Sequence, residues 1–337
     1  MGAVWLQFFI CMGAITFSGT QLTRYGDVLA EKTGLGRTWM GLVALALVTS
    51  LPELANGASA VLWVAAPDLA VGDLMGSCVF NLLILAVVDV FYPPGPILTY
   101  ADRGHILAAA FGVMLLAVVS LELLVHAPMG HFSIKHLGFS TPVLLGCYLI
   151  AMRVMFRYQR RERAAYLADH EEVLVYPDKR MGEALWKFAA NAAIVVAAGI
   201  WLPYVADNLA QIMGWHRTMV GTLFVAAATS MPETVVTISA LKLGAVDLAV
   251  GNLFGSNLVN MAIIGVVDLI YSRPLLQVVS PRHAATGLMA ILMTGIAVAE
   301  LVYRPKKKAL RWMSLGAFLL AFLYAANVFF HLLARAE

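Results

Sequence analysis

Two acidic residues, Glu53 and Glu233, each follow the tripeptide Ser-x-Pro within an otherwise apolar stretch of the chain. Each belongs to a longer block, 41–81 or 221–260, and the two blocks carry polar residues at equivalent positions. The first block holds Thr49, Ser50, Ser77 and Asn81, and the second holds Thr229, Ser230, Ser256 and Asn260. A charged side chain at the centre of a membrane helix costs roughly 2.5–3.5 kcal/mol unless something compensates it. The repeated pattern therefore predicts a compensated, functional pair of acids.

The missing counter-charge is either a proton or a bound cation, because no Lys or Arg lies at a similar depth in these segments. The neighbouring hydroxyl and amide oxygens favour a cation. Pro52 and Pro232 carry no N–H, which frees carbonyl oxygens in the preceding turn. An all-oxygen cage with two carboxylates suits a hard cation such as Ca²⁺, which takes six to eight oxygen ligands. The same oxygens suit Na⁺, so the two ions would compete for one site.

The elements that hold these residues are membrane helices. The chain is 61% apolar and 13% charged, whereas a soluble domain has roughly a quarter charged residues. Apolar runs of about 20 residues recur from end to end, which predicts an all-α polytopic membrane protein. Ten transmembrane helices are expected, at about 3–32, 37–64, 68–91, 102–124, 140–157, 184–212, 218–243, 247–271, 282–302 and 309–334. They form two five-helix repeats, 1–157 and 184–337, joined by a charged linker at 158–183.

The distribution of basic residues predicts the orientation. Most of the 23 Lys and Arg residues lie in alternate loops, with large groups at 157–187 and 304–311. The positive-inside rule then places the linker in the cytosol and both termini outside, in a prokaryotic inner or plasma membrane. Because five spans is an odd number, the two repeats must cross the membrane in opposite directions. Inverted repeats of this kind are typical of secondary transporters.

The two blocks resemble the alpha repeats of the cation/Ca²⁺ exchanger superfamily, with prokaryotic Na⁺/Ca²⁺ exchangers as the nearest likeness. Each block resembles the family pattern G-T-S-x-P-E followed by D-x-A-x-G-N-x-x-G-S-N-x-x-N/D, with a few substitutions. The resemblance implies the sodium/calcium exchanger fold, with the first and sixth helices sliding as a pair over the other eight. It also implies that Glu53 and Glu233 are the principal ligands. Further oxygens would come from the side chains of Thr49, Ser50, Thr229, Ser230, Ser77, Ser256 and Asn81 and from the carbonyls of Ala46 and Ala226.

This sequence departs from the family pattern at several positions. Asn260 stands where many prokaryotic members have Asp, so one proton-binding carboxylate is absent. Asp73 replaces the Asn of G-N, which adds a carboxylate near the outer entrance. Cys78 replaces the Asn of G-S-N. Val48 and Ala228 replace the glycines of G-T-S.

Other polar residues favour structural interpretations. Four aspartates near helix ends and four histidines at or beyond helix ends are expected to cap helices or to lie at the interface: Asp68, Asp89, Asp247, Asp268, His105, His126, His131 and His136. The three cysteines have no zinc spacing and predict no disulfide framework. Residues 3–21 are expected to be a retained helix rather than a signal peptide. The basic group at 304–311 is expected to set topology and to contact anionic lipid.

The sequence favours a Na⁺/Ca²⁺ antiporter, with Ca²⁺ and Na⁺ as transported ions and lipid as its surroundings. It leaves open a Ca²⁺/H⁺ exchanger on the same scaffold, a passive cation channel, and a receptor with a structural ion. It predicts no enzyme, because no nucleophile–base pair or cofactor loop is present. No cofactor, nucleic acid or obligatory protein partner is expected.

Overall fold

The computed structural model of the chain describes residues 2–34, 36–63, 65–129, 133–134, 137–138, 140–169, 175–213 and 226–333. Each repeat contributes five helices, and the odd number inverts the second repeat relative to the first. The first repeat contains α1 (Gly2–Thr33), α2, α3 (Pro67–Phe91), α4 (Gly104–Met129) and α5 (Ser140–Asp169). The second contains α6 (Met181–Met213), α7, α8 (Val246–Ile270), α9 (His283–Tyr303) and α10 (Leu315–Leu333).

Helices α2 and α7 are each interrupted at the serine that precedes the Pro-Glu pair. Helix α2 consists of Gly36–Trp39, a π-helical turn at Met40–Leu45, Ala46–Thr49 and, after the break, Leu51–Leu62. The described part of α7 consists of Ala226–Thr229 and Met231–Lys242. The expected start of α7 at 218, residues 221–225 of the second block, His131 and His136 lie outside the described residues.

Two helix boundaries and one short β-ladder differ from the sequence-based expectation. Helix α5 continues to Asp169 instead of ending near 157, because the charged segment that follows contains no Gly or Pro to stop a helix. Helix α10 begins at Leu315 rather than near 309. A short β-ladder, β1 (Ser133–Ile134) with β2 (Leu137–Gly138), also lies between α4 and α5 and was not expected.

Part of the basic group before α10 caps a helix rather than facing lipid. The Lys308 ammonium donates to the carbonyl oxygens of Val90 (3.4 Å), in the last turn of α3, and Tyr92 (2.9 Å), just beyond it. Cations are stabilised at the negative end of a helix dipole, so Lys308 ties the segment before α10 to the end of α3. Arg304 donates to the carbonyl of Ala101 over 2.8 Å and so ties the same segment to the loop before α4.

Seven of the described helices are long and apolar enough to cross a membrane by themselves: α1, α3, α4, α8, α9, the region Arg37–Leu62 of α2 and the region Met181–Ala198 of α6. A shorter apolar helix, Leu315–His331, lies within α10. The chain is therefore a membrane protein. The odd-numbered helices end on one side of the bundle, which we call the linker end, and the even-numbered helices end on the other, the far end.

Helix α8 runs through the middle of the bundle and is its most buried span. It contacts α2, α3, α4, α5 and α7, while α3 packs against α9 and α10. Helices α1 and α6 pack along one another at the outside of this core, where α1 contacts α7 and α6 contacts α2. Their outward faces carry exposed apolar side chains such as Phe17 and Trp186, as expected for surfaces that meet lipid.

The π-helical turn of α2 lies directly against the backbone of α8. A methyl group placed on Gly41 would lie 2.6 Å from the carbonyl oxygen of Leu248, and one on Gly251 would lie 3.1 Å from the carbonyl oxygen of Thr38. Small residues four positions apart allow membrane helices to approach this closely. The glycines therefore hold α2 and its acidic residue against the central helix.

Two aspartates close the starts of α3 and α8 in the same way. Asp68 accepts hydrogen bonds from the amide of Ser280 (2.7 Å) and lies 3.0 Å from Nε2 of His283. At the linker end, Asp247 accepts a hydrogen bond of 2.6 Å from the amide of Asp102, and its carboxylate lies 3.2 Å from Nε2 of His105. His105 is fully buried by these contacts, although the sequence predicts an interfacial position.

Two further aspartates close the ends of α3 and α8. Asp89 accepts hydrogen bonds of 2.8 Å from the amides of Ile97 and Ser314. Asp268 accepts one of 3.0 Å from the amide of Gly138 and another from the hydroxyl of Thr141. Ser314 precedes α10 and Thr141 begins α5, so each fifth helix is fastened to the third helix of the other repeat.

The linker is folded back onto the end of α1. Glu31 accepts hydrogen bonds from the amides of Val175 and Tyr176, and the Tyr176 hydroxyl donates to Asp27 over 2.8 Å. Asp27 also forms a two-point ion pair with Arg37 at the start of α2. Because α6 begins at Met181, this docked segment joins the linker ends of α1 and α6.

Candidate functional site

The two helix breaks have the same backbone geometry. Ser50 has φ −88° and ψ 3°, and Ser230 has φ −84° and ψ 8°. In each case a proline in the first turn of the resumed helix carries no N–H for the turn before it. Each break turns the side chains of the threonine and serine beside it toward the interior of the helix bundle: Thr49 and Ser50 in α2, and Thr229 and Ser230 in α7. All four are fully buried.

Glu233 is completely buried and is contacted by hydroxyls from both repeats. Its Oε1 accepts hydrogen bonds from Ser50 (3.4 Å) and Ser256 (3.3 Å). Its Oε2 has no hydrogen-bond partner among the described residues. One oxygen is thus oriented by the site while the other is left for a ligand.

Glu53 is equally buried, and neither of its carboxylate oxygens has a hydrogen-bond partner in the described part of the chain. No described Lys, Arg or His forms an ion pair with either glutamate. A buried carboxylate without hydrogen bonds or a counter-charge is strongly unfavourable. The charge of each glutamate must therefore be compensated by a bound proton or a bound cation.

The hydroxyl residues lie between the two breaks and the two central helices. Ser230 donates to the hydroxyl of Ser77 over 3.1 Å. The hydroxyls of Thr49 and Ser256 lie 3.3 Å apart. The structure thus brings together four of the predicted hydroxyls in two pairs, each joining a broken helix to the third helix of the other repeat. Their role as ligands stays a prediction.

The two predicted asparagines have different surroundings. Nδ2 of Asn81 donates to Oδ1 of Asn257 over 3.0 Å, which leaves Oδ1 of Asn81 without a partner. Asn260 is fully buried, and neither polar atom of its side-chain amide forms a hydrogen bond with a described residue. These unpaired amide oxygens are available for a cation.

The carbonyl oxygens of Ala46 and Ala226 were expected to bind the cation as well. The carbonyl of Ala46 accepts hydrogen bonds from the amide of Ser50 (3.0 Å) and the hydroxyl of Thr49 (3.3 Å). An ion at this oxygen would have to replace the bond from Thr49. Ala226 is the first residue of the described part of α7. Both assignments stay predictions.

Sequence reasoning missed three neighbours of the site and left a fourth undecided. Asn252 accepts a hydrogen bond of 3.3 Å from Thr49, and Asn257 contacts Asn81. Asn56 donates to Asp73 over 2.7 Å, and Thr229 donates to the other oxygen of Asp73 over 3.1 Å. Asn252 and Asn257 are the Asn residues of G-N and G-S-N in the second block, so the repeated motif itself marks them.

No group of three or more His, Cys, Asp or Glu side chains is gathered tightly enough to hold a metal in the residues that the structure describes. Any cation in this site would therefore be held by two carboxylates at most, with hydroxyl, amide and carbonyl oxygens completing its shell. Such a shell suits Ca²⁺ or Na⁺, which bind oxygen ligands, and not zinc, which prefers Cys and His.

Comparison with known proteins identifies the family of this chain. The model of the family described as sodium/calcium exchanger protein matches residues 3–156 and 183–333. The chain belongs to this family. Its members are transporters, and the two matched segments coincide with the two repeats.

Individual relatives are distant but are covered over most of their length. The sodium/calcium exchanger MaX1 of Methanosarcina acetivorans is 24% identical over 287 residues, 73% of this chain and 77% of its own. The inner membrane protein YrbG of Escherichia coli is 25% identical over 296 residues, 86% of each chain. A solved structure of the sodium-calcium exchanger NCX_Mj superposes with a TM-score of 0.71 at 19% identity, covering 97% of this chain and 98% of that one. This exchanger has the ten-helix, two-repeat fold, which confirms the predicted architecture.

Proposed function

We propose that this chain is a secondary active antiporter that exchanges Na⁺ for Ca²⁺ at one site between α2, α3, α7 and α8. The observation that carries the proposal is the pair of fully buried glutamates at equivalent helix breaks, neither of which forms an ion pair with a Lys, Arg or His that the structure describes. Two ionised carboxylates neutralise one Ca²⁺. The unpaired oxygens of Glu53, Glu233 and Asn81 supply ligands to it.

Exchange follows from competition for these oxygens. Na⁺ and Ca²⁺ both prefer hard oxygen ligands, so Na⁺ ions that occupy the hydroxyl and carboxylate positions exclude Ca²⁺. An empty site would leave two charges uncompensated within the membrane, which disfavours the conformational change. The protein therefore changes its access only when it is loaded with one ion or the other, and the gradient of one drives the other.

The packing of α1 and α6 supports the expected switching movement. These helices contact each other closely, and they touch the core through α2 and α7. In the described residues, α1 and α7 are joined by hydrogen bonds from hydroxyls, such as Thr23 to the carbonyl of Val236 (3.3 Å) and Ser239 to Thr20 (3.2 Å). A pair held together by its own contacts and by the docked linker can slide along the core as one unit.

The proposed setting is a prokaryotic inner or plasma membrane. The positive-inside rule assigns the linker end to the cytosol, because the basic residues of the linker and of 304–311 lie there. Both chain termini would then lie outside. Ca²⁺ extrusion driven by inward Na⁺ movement is the direction that the usual ion gradients would produce.

Flux measurements in proteoliposomes test the proposal. We expect Ca²⁺ uptake to require an outward Na⁺ gradient, and Glu53→Gln and Glu233→Gln each to abolish it. Glu183→Gln is the matched control, because Glu183 is an exposed acid paired with Lys187 at the start of α6. Uptake driven only by a pH gradient would indicate Ca²⁺/H⁺ exchange. Ca²⁺ movement with no counter-ion would indicate a channel, and normal flux in either Gln variant would overturn the assignment of the site.

A further inference from the structure

Asp73 is a buried carboxylate that the exchange of one Ca²⁺ at the glutamate pair does not use. It lies in α3, one helical turn before Ser77, and only 2% of its surface is exposed. One oxygen accepts from Nδ2 of Asn56 and the other from the hydroxyl of Thr229. Both donors are neutral, and no described cationic side chain forms an ion pair with Asp73. Its negative charge is therefore stabilised only by two neutral hydrogen bonds, and no described side chain supplies a counter-charge.

The other repeat shows what a neutral residue does at this position. Asn252 occupies the equivalent place in α8, and its Oδ1 accepts a hydrogen bond of 3.3 Å from Thr49, the counterpart of Thr229. Its amide also lies 3.4 Å from the hydroxyl of Thr237. A neutral amide is thus sufficient to tie the threonine of a broken helix to a central helix. The acid at position 73 adds one negative charge that this tether does not need.

The surroundings of Asp73 supply further oxygens. Thr229 precedes Ser230, whose hydroxyl contacts Ser77 one turn along α3. Asn56 lies one turn after Glu53, whose two carboxylate oxygens have no partner among the described residues. The carboxylates do not gather into one group of three, so Asp73 is a position beside the glutamate pair rather than part of it.

We propose that Asp73, Thr229 and Asn56 form a separate binding position for a monovalent metal cation at the far-end side of the exchange site. One carboxylate with hydroxyl and amide oxygens matches one unit of positive charge and the oxygen preference of an alkali cation. This cation is bound in addition to those at the glutamate pair. Its positive charge beside the pair repels Ca²⁺ there, so it helps to displace Ca²⁺ and is one of the coupling ions. The inference rests on the proposed exchange function.

Equilibrium binding of radioactive Ca²⁺ to the purified full chain in detergent tests this position, with Na⁺, K⁺ and Li⁺ as competing ions. For Asp73→Asn we expect the Na⁺ concentration for half displacement to rise about tenfold and the Hill slope of displacement to fall by about one. The Kd for Ca²⁺ without Na⁺ should stay within about threefold. Asp73→Glu should restore the slope. Asp68→Asn, which alters a more exposed acid of the same helix, should change neither value.

Unchanged displacement by all three alkali cations in Asp73→Asn would overturn the proposal and leave Asp73 as a tether. An equal loss of Ca²⁺ and Na⁺ binding would also overturn it, since the position would then not be separate. If Asp73→Asn does not fold, Asn252→Asp is measured instead. A second acid at the equivalent place in α8 should raise the Hill slope of Ca²⁺ displacement by Na⁺. An unchanged Hill slope would contradict the proposal. Ca²⁺ binding that survives Glu53→Gln and Glu233→Gln would instead overturn the exchange site itself.

Discussion

The hydroxyl of Ser50, in the first repeat, donates a hydrogen bond of 3.4 Å to Oε1 of Glu233, in the second. The two residues lie at equivalent helix breaks, so the bond joins the breaks directly to one another. Ser256 donates to the same oxygen, whereas Glu53 receives no such bond from a described residue. The inverted repeats therefore build a site whose two acids are not equivalent: one is oriented by hydroxyls and the other depends on its ion.

Replacement of Ser50 by Ala should weaken Ca²⁺ binding without unfolding the protein. The change removes one donor from Glu233 and one oxygen from the site. A bond of this length contributes about 1 kcal/mol, which corresponds to a roughly fivefold rise in the Kd for Ca²⁺. Isothermal titration of the purified protein measures this directly. Thr294→Ala is the control, because Thr294 is a buried hydroxyl in α9 that bonds only to its own helix; an equal effect there would argue against a specific role.

Replacement of Gly255 by Ala should push α8 away from α2. A methyl group at this position would meet the side chain of Ala46 at 2.7 Å and would also contact the carbonyl oxygen of Leu42. Overpacking of this kind typically costs about 1–3 kcal/mol, so we expect a lower thermal midpoint in detergent and weaker Ca²⁺ binding. Gly112→Ala in α4 is the matched control, since nothing lies within 4 Å of its added methyl group. Equal stability of the two variants would contradict the close approach.

The docked linker segment should be released at high pH. Burial, and then the hydrogen bond to Asp27, raise the pKa of Tyr176 to about 12, compared with about 10 in an unfolded chain. The protonated phenol is the form that docks. Its contribution is therefore complete below about pH 10 and is lost as the pH rises through about 12. The protection factor of the 175–180 amides in hydrogen–deuterium exchange, which corrects for the base-catalysed rise of the intrinsic rate, should fall over that range.

Two variants check the origin of this pH dependence. Tyr176→Phe should show faster exchange of the segment already at neutral pH, because it lacks the donor to Asp27. Asp27→Asn should lower the pH of release, because the remaining amide holds no negative charge beside the phenol. A release profile that is the same in all three proteins would show that another group controls docking.

Replacement of Asp89 by Asn should destabilise the fold without a direct effect on ion binding. Each oxygen of Asp89 accepts one backbone amide, from Ile97 and Ser314. An Asn side chain has only one acceptor, so its NH₂ would face an amide donor and leave it unpaired, at about 1–3 kcal/mol. Thermal unfolding in detergent measures the loss. Asp68→Asn should cost less, because Asp68 is more exposed; the reverse order would contradict this account.

Much of the fold could be predicted from the sequence, because lipid restricts a chain to helices whose lengths and charges are readable. The positions of α3, α8 and α9 were predicted to within about one residue. The end of α5 was not, since hydropathy detects where a helix leaves the membrane and not where it stops being helical. The start of α10 was also wrong, because Lys308 and Arg304 bind carbonyls beyond α3 and at the loop before α4, contacts that lie far apart in the sequence.

The site was predicted in its parts but not in its connections. The duplicated Ser-x-Pro-Glu pattern marks Glu53, Glu233 and the hydroxyls beside them. It does not show that Ser50 faces Glu233 rather than its own repeat's acid. Such pairings depend on how two inverted repeats interlock, and an individual repeat carries no information about that. Asn56 was missed for the same reason: its counterpart in the second repeat is a valine, so the repeat pattern does not single it out.

The exchange of fifth helices between the repeats has a consequence for biosynthesis. Asp89 is paired with an amide 225 residues further along the chain, whereas Asp268 binds the earlier α5. During translation, the first repeat enters the bilayer before α10 is made. Until then, Asp89 at the end of α3 lacks the hydrogen bond from the amide of Ser314. A nascent chain that stalls before residue 314 thus carries an open carboxylate at the membrane surface, which a quality-control protease or chaperone could recognise.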